Sequence, residues 1–189
     1  MPRVLVPLAE GFEEIETATL VDVLRRADIE VVLAGLDGLA PCLGSRAMRF
    51  VPDAALDDVL NDPFDLIVLP GGLGGTLRMC DHEALKATLA HRVHHGLPVA
   101  AVCAAPMVLE AAGILPTARY TCHPGVASKL HTPGRLDDVV VDDGLVLTSQ
   151  SAGTAMPFAL ALVARLCGPE SAERVRVGLH YNGASGSPA

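Results

Sequence analysis

Residues 97–113, LPVAAVCAAPMVLEAAG, change hydrophobic period without a linker. Leu97 to Val102 is a short apolar run with the length and Val content of a buried strand. From Met107 to Ala112 the pattern is helical and Gly113 closes it as a left-handed cap. Pro106 suits the first turn, where its missing N–H costs nothing. Cys103 stands at the junction. Free amides at a helix start, together with the positive end of the helix dipole, favour a thiolate there over a thiol and make Cys103 a candidate nucleophile. The alternative is a small buried cysteine in an Ala-rich core.

The flanks repeat this strand-to-helix unit. Arg3 to Leu8 and Ile29 to Leu36 read as strands on either side of a helix over 18–27, where Leu20, Val21, Val23 and Leu24 recur at helical spacing. Ala9 to Thr17, AEGFEEIET, reads as a loop dense in carboxylates: Glu10, Glu13, Glu14 and Glu16. Residues 37–53 form an irregular excursion with short extended pieces, followed by a short helix over 57–60. Asp65 to Leu69 is a third buried strand running into the glycine turn Pro70 to Gly75. Asp81 is the expected N-cap of a helix reaching about His95. Downstream, Arg119 to His123 reads as a strand and Val126 to Leu130 as a short helix. A hairpin turns at Asp142-Asp143-Gly144, a long helix runs from Ser151 through Cys167, and a short one covers 171–177. The pattern predicts an α/β fold: a doubly wound, mostly parallel sheet with helices on both faces. One domain is expected over residues 1–181, with a disordered tail over 182–189.

Composition supports that class. Half the residues are hydrophobic (50%) but only 3% are aromatic and none is Trp, so the core is aliphatic, as suits parallel strands covered on both faces. A net charge of −8 argues against a nucleic-acid partner. No apolar run approaches the roughly 20 residues of a membrane helix, and the N-terminus lacks the pattern of a signal peptide. The five cysteines are odd in number and form no CxxC pair, which points to free thiols in a reducing cytoplasm.

The glycine turn fails as a phosphate loop, because no Gly-Lys-Ser/Thr follows and Leu77 stands where the last glycine of GxGxxG belongs. Its amides either form an anion or oxyanion nest or serve plain turn chemistry. His91, His94 and His95 read as cations near a helix C-terminus rather than metal ligands, since no carboxylate or cysteine lies at ligand spacing, and no metal site is expected. Glu16, Gly71-Gly72 and Cys103 each follow a predicted strand, and such loops gather at one edge of a doubly wound sheet. A nucleophilic cysteine needs a thiolate, oxyanion donors and a proton carrier. The glycine amides with the Ala104 N–H are candidate donors. Glu16 and His123 are candidate proton carriers, though a histidine beside a Pro-Gly turn is more often a structural residue.

EGFEEIET, DLIVLPGG, AAVCAAP, TCHPG and LTSQSAGTA, in that order, resemble the ThiJ/PfpI superfamily over roughly Arg3 to Cys167. The chain is most similar to the dimeric branch that contains the parkinsonism-associated protein deglycase and its bacterial relatives. The resemblance implies a flavodoxin-like fold and a homodimer. It implies a reactive elbow cysteine at Cys103, a protonated glutamate at Glu16, and an oxyanion site of the Gly71, Gly72 and Ala104 amides. The family's nearby histidine falls on His123, where Pro124 replaces the acid of the protease-like branch. Arginines that border the site across the dimer interface correspond to Arg26 and Arg46. Ser151-Ala152-Gly153-Thr154 departs from a Gly-Pro-Gly-Thr pattern, and the C-terminal segment lacks an apolar final helix.

Three functions compete. The first is cysteine-dependent detoxification of α-oxoaldehydes: conversion of methylglyoxal or glyoxal to lactate or glycolate, or deglycation of early adducts. Cys103 would attack and Glu16 would carry protons, with no cofactor. The second is an oxidative-stress sensor or chaperone acting through oxidation of Cys103 to sulfenic or sulfinic acid. The third, a cysteine peptidase or amidase, suffers from the missing acid after His123.

Overall fold

The computed structural model describes residues 1–115 and 118–183. Expectations for the tail over 184–189 lie outside the described residues.

Seven strands form the main sheet. β1 (Arg3–Leu8), β2 (Glu30–Gly35), β6 (Leu66–Leu69), β7 (Val99–Val102) and β9 (Val146–Ser149) form its parallel body. The two-residue β5 (Ala54–Ala55) lies at one edge, and β8 (Val140–Asp142) closes the other as an antiparallel strand. The spatial order is β5-β2-β1-β6-β7-β9-β8. The chain thus moves outward from β1 to β2 and returns to β6 on the other side. A doubly wound sheet opens its crevice at such a reversal, at the carboxyl ends of β1 and β6. This is the expected flavodoxin-like arrangement.

Alternation along each strand explains why both faces are covered. Val4, Val6 and Leu8 point to one apolar layer and Leu5 to the other; Val99 and Ala101 oppose Ala100 and Val102 in the same way. One layer is filled from α1 (Glu14–Arg26), α6 (Ala155–Cys167) and α7 (Pro169–Gly178) by Leu20, Leu24, Phe158 and Val175. The other is filled from α2 (Leu56–Val59), α4 (Glu83–His94) and α5 (Pro106–Ala111) by Leu56, Leu89 and Leu109. Cys103 packs against both. Residues 42–50 form a separate small hairpin, β3 (Cys42–Leu43) with β4 (Arg49–Phe50).

Four expectations change. The carboxylate-dense stretch is not all loop, because α1 begins at Glu14 and places Glu16 in its first helical turn. Glu13 caps it, its carboxylate accepting the Glu16 N–H at 2.7 Å. Acidic residues are favoured at a helix N-terminus, so charge density there marked a start and not a break. The glycine run is likewise no flexible turn, since α3 (Leu73–Asp81) starts directly after Gly72. Gly72 has φ +88°, and a Cβ on it would run into the Gly11 carbonyl oxygen. Asp81 ends α3, and the cap of the next helix is His82, whose Nδ1 accepts the Leu85 N–H at 3.1 Å. Finally, Arg119–His123 is no strand but a single bridge from Tyr120 to Arg135. The sheet already ends at β8, and the Thr121 N–H is taken by the Thr148 side chain at 2.8 Å instead of a backbone ladder. Among the described residues, no helix is long and apolar enough to cross a membrane. None of their His, Cys, Asp and Glu side chains form a group of three arranged for a metal.

Candidate active site

β7 ends at Val102, and the next residue breaks the backbone rules. Cys103 has φ +64°, a left-handed conformation that costs a side-chain-bearing residue roughly 1–2 kcal/mol. Two neighbours hold it there. Its N–H donates to the Ser149 carbonyl at 3.0 Å, and its own carbonyl accepts the His123 N–H at 2.8 Å. The elbow turns the thiol out of the sheet into an open cavity of about 540 Å³, shared with Glu16, Gly72, Ala104, His123 and Arg46.

Glu16 reaches the same point from the first turn of α1, fully buried. The Gly71 N–H donates to its Oε2 at 2.8 Å, while Oε1 has no hydrogen-bond partner among the described residues. Gly71 must lack a side chain, since a Cβ there would stand 2.6 Å from both Cys103 Cβ and Glu16 Oε2. Burial drives the Glu16 carboxyl up to about 7; hydrogen bonds from Cys103 and Gly71 oppose it and the charge of Glu13 adds to it. Burial likewise pushes the Cys103 thiol up to about 12. An ionised Glu16 adds to that, while the amides of Gly72 and Ala104 pull it down.

These environments correct the expectation of a thiolate stabilised by the helix start alone. α5 has only six residues, and burial beside a carboxylate outweighs its amides. The sulfur and the carboxyl instead titrate as one coupled unit, in which the carboxyl gives up its proton before the thiol. When Glu16 holds the proton, its repulsion of the sulfur disappears and its O–H becomes a donor, leaving Gly72 and Ala104 to favour a thiolate.

The other expected residues divide. Gly72 and Ala104 turn their amides toward the sulfur, but the Gly71 amide is already engaged by Glu16. His123 is exposed at the cavity rim, and its Nδ1 accepts the Gly125 N–H at 3.0 Å. A neutral imidazole used this way carries its proton on Nε2 and has no free lone pair to act as a base. Arg46 borders the cavity. Arg26 does not border the cavity of its own chain, since it ends α1 and donates to Asp22 through Nε at 2.6 Å; its expected place is across a dimer interface. Ser151 and Gly153, where the chain departs from the family pattern, also line the cavity; Ser151 caps a short 3-10 turn over 152–154. Glu14, which the sequence shows only as one of four clustered carboxylates, lies behind the Arg46 loop, and its partners Ser45, Arg46 and Met48 are 31, 32 and 34 positions further along the chain.

The sequence model of the DJ-1/PfpI family matches residues 2–165. The chain is 43% identical over 172 residues to protein DJ-1 homolog A of Arabidopsis thaliana, covering 90% of this chain but only 44% of that protein. It therefore spans less than half the length of that relative. The glutathione-independent glyoxalase DJR-1.2 of Caenorhabditis elegans is 41% identical over 169 residues, covering 88% of this chain and 89% of that protein. The crystal structure of Drosophila melanogaster DJ-1beta superposes with a TM-score of 0.92 at 40% identity, covering 95% and 97% of the two chains.

Proposed function

The chain belongs to the DJ-1/PfpI family, and from that premise we propose that it converts α-oxoaldehydes, or their early adducts, to hydroxy acids through Cys103 and Glu16. The observation that carries this reading is the buried Glu16 carboxyl, poised at about 7, beside the cavity-facing thiol. A proton carrier works best when its pKa lies near the operating pH. The name of the C. elegans relative, a glutathione-independent glyoxalase, supports the same chemistry.

With methylglyoxal the steps balance as follows. Sγ bonds to the aldehyde carbon and the carbonyl electron pair moves to oxygen, which takes the proton of the Cys103–Glu16 unit. The Gly72 and Ala104 amides stabilise that oxygen while it is charged. Glu16, now a carboxylate, removes the proton from the sulfur-bearing carbon and returns it to the neighbouring carbon, while the hydroxyl proton on the first oxygen passes to the neighbouring carbonyl oxygen. A thioester of lactate results. Water cleaves its C–S bond, releasing lactate and restoring the thiol. The sum is methylglyoxal plus water to lactate and a proton, with no external oxidant or reductant. His123 acts at most as a donor from the rim. Homodimer formation belongs to the same reading: Ile15 and Met48, 59% and 56% exposed, offer apolar surface to a second copy.

The test is lactate formation from methylglyoxal by the wild type, Cys103→Ser and Glu16→Gln side by side. Activity in the wild type alone supports the proposal; an inactive wild type, or an active Cys103→Ser, sinks it. One observation favours a redox role as well. The buried Oε1 of Glu16 has no hydrogen-bond partner among the described residues, and an oxygen added to the neighbouring sulfur would offer it one. Peroxide titration followed by intact mass checks this, and equal oxidation of all five cysteines would remove the redox reading.

A further inference from the structure

The loop from Gly44 to Met48 brings Ser45 and Arg46 to the Cys103 cavity, and one buried carboxylate holds it there. Glu14 is 3% exposed. It accepts the Ser45 hydroxyl at 3.0 Å, the Arg46 N–H, and the Met48 N–H at 3.4 Å. A Cβ on Gly44 would collide with the same carboxyl group. These donors keep Glu14 below the usual carboxylate range although burial pushes the other way. The loop also closes on itself, the Gly44 N–H donating to the Met48 carbonyl at 2.8 Å, and the Ser45 N–H donates to the Phe12 carbonyl at 2.8 Å; Glu14 adds the side-chain anchor beside Arg46, where the flanking strands are two residues each and Ala47 sits at φ +67°. The Arg46 guanidinium donates to the Ser45 carbonyl at 3.1 Å and, among the described residues, forms no ion pair. A free guanidinium at the edge of a cavity is a ready partner for a carboxylate or phosphate.

We infer that Glu14 is a positioning residue: by clamping the 44–48 loop it presents Arg46 to the Cys103 cavity, so that the thiol favours electrophiles bearing an anionic group over neutral ones of the same shape. The substrate side of this inference rests on the proposed function and narrows it to α-oxoaldehyde adducts that carry a carboxylate or phosphate. The clamp itself does not depend on turnover.

Iodoacetate and iodoacetamide separate the two. Both alkylate in one step, in which a C–S bond forms, the C–I bond breaks, iodide leaves with its electron pair and the thiol proton passes to buffer. Their rate ratio at Cys103, located by peptide mapping, therefore isolates the effect of charge. Glu14→Gln is expected to lower the iodoacetate rate at least about fivefold and to leave iodoacetamide within about twofold. Arg46→Met should do the same, and the double variant should lose nothing further, because both act through one guanidinium. An unchanged ratio in Glu14→Gln overturns the inference, as does an equal fall with both reagents, which would mark Glu14 as fold support only. Should Glu14→Gln fail to fold, Ser45→Ala removes a single donor, and a ratio unchanged there overturns it equally. Absence of lactate formation with the ratio shifted as expected would strike the proposed function and leave this inference standing.

Discussion

Glu14 and Glu16 stand two residues apart in the first turn of α1, both buried, and they ionise in opposite directions. Desolvation is the largest influence on each and raises both. The difference is the supply of donors. Glu14 faces a loop that offers it one hydroxyl and two amides, whereas Glu16 receives one amide and the weaker Cys103 thiol and leaves Oε1 without a partner. A buried carboxylate with its lone pairs satisfied is a charged strut. The same group left short of donors stays near its neutral form, which is what proton transfer requires. One turn of helix thus supplies the anchor for one wall of the cavity and the acid on its floor.

The severest way to break this division is to move Glu16 off the sulfur. Gly71→Ala puts a methyl group against both Cys103 Cβ and Glu16 Oε2, and a displacement near 1 Å costs about 100-fold in rate. The expected result is loss of lactate formation on that scale, with a destabilisation of about 2 kcal/mol measured by denaturant unfolding. Activity within threefold of wild type would mean that the carboxyl and thiol need not touch.

Next in size is the pH dependence of stability. Glu16 has a folded-state pKa raised from 4.5 to about 7, so its neutral form fits the fold, and the stability it confers is lost as pH rises through that value. Wild type should lose about 3 kcal/mol between pH 5 and pH 8 from this group, and Glu16→Gln, which never ionises, should not. The variant is therefore expected to be the more stable protein at pH 8 and nearly equal at pH 5. Parallel unfolding curves at both pH values would contradict the assignment.

Glu14 should show the reverse sign. Its folded-state pKa is lowered, so the stability it confers is present above the ordinary carboxylate range and lost as pH falls through the folded value. Glu14→Gln should cost about 2 kcal/mol at neutral pH, the worth of hydrogen bonds to a charged acceptor, and the gap to wild type should close in acid. A constant gap would show that the carboxylate's charge plays no part in holding the loop.

The contrast between the two glutamates also marks how far the sequence could be read. Val-Leu-Val in Arg3–Leu8, DLIVL and PVAAV disclosed strands buried on both faces, because alternate residues of a parallel strand both find apolar layers. Misjudged were places where local chemistry served a distant partner. Four clustered carboxylates looked like a loop, yet two of them begin a helix. Glycines that looked like a turn were small so that α3 could begin against Gly11, and RYTCH resembled a strand with no edge left to join. Within the site, Cys103, Glu16, Gly72, Ala104 and His123, which motif order collected, line one cavity, and Arg46, expected across a dimer interface, lines the cavity of its own chain. Arg26 does not reach it within the chain, Gly71 spends its amide on Glu16, and the partners of Glu14 are visible only once the hairpin has folded back onto α1.

The smallest expected effect separates a base from a bystander at the rim. His123 uses Nδ1 to accept the Gly125 N–H and so begins the 3-10 turn over Pro124–Lys129, in the manner of a helix cap. Removing such a cap costs about 1 kcal/mol. His123→Ala should show that loss on unfolding while lactate formation falls less than about tenfold, below the 100-fold or more expected when a general base is removed. His123→Asn restores a capping acceptor without an imidazole, so it should recover the stability and leave the rate unchanged from His123→Ala. A rate collapse in both variants would put the proton carrier on the rim of the cavity, and the unpartnered oxygen of Glu16 would then need another explanation.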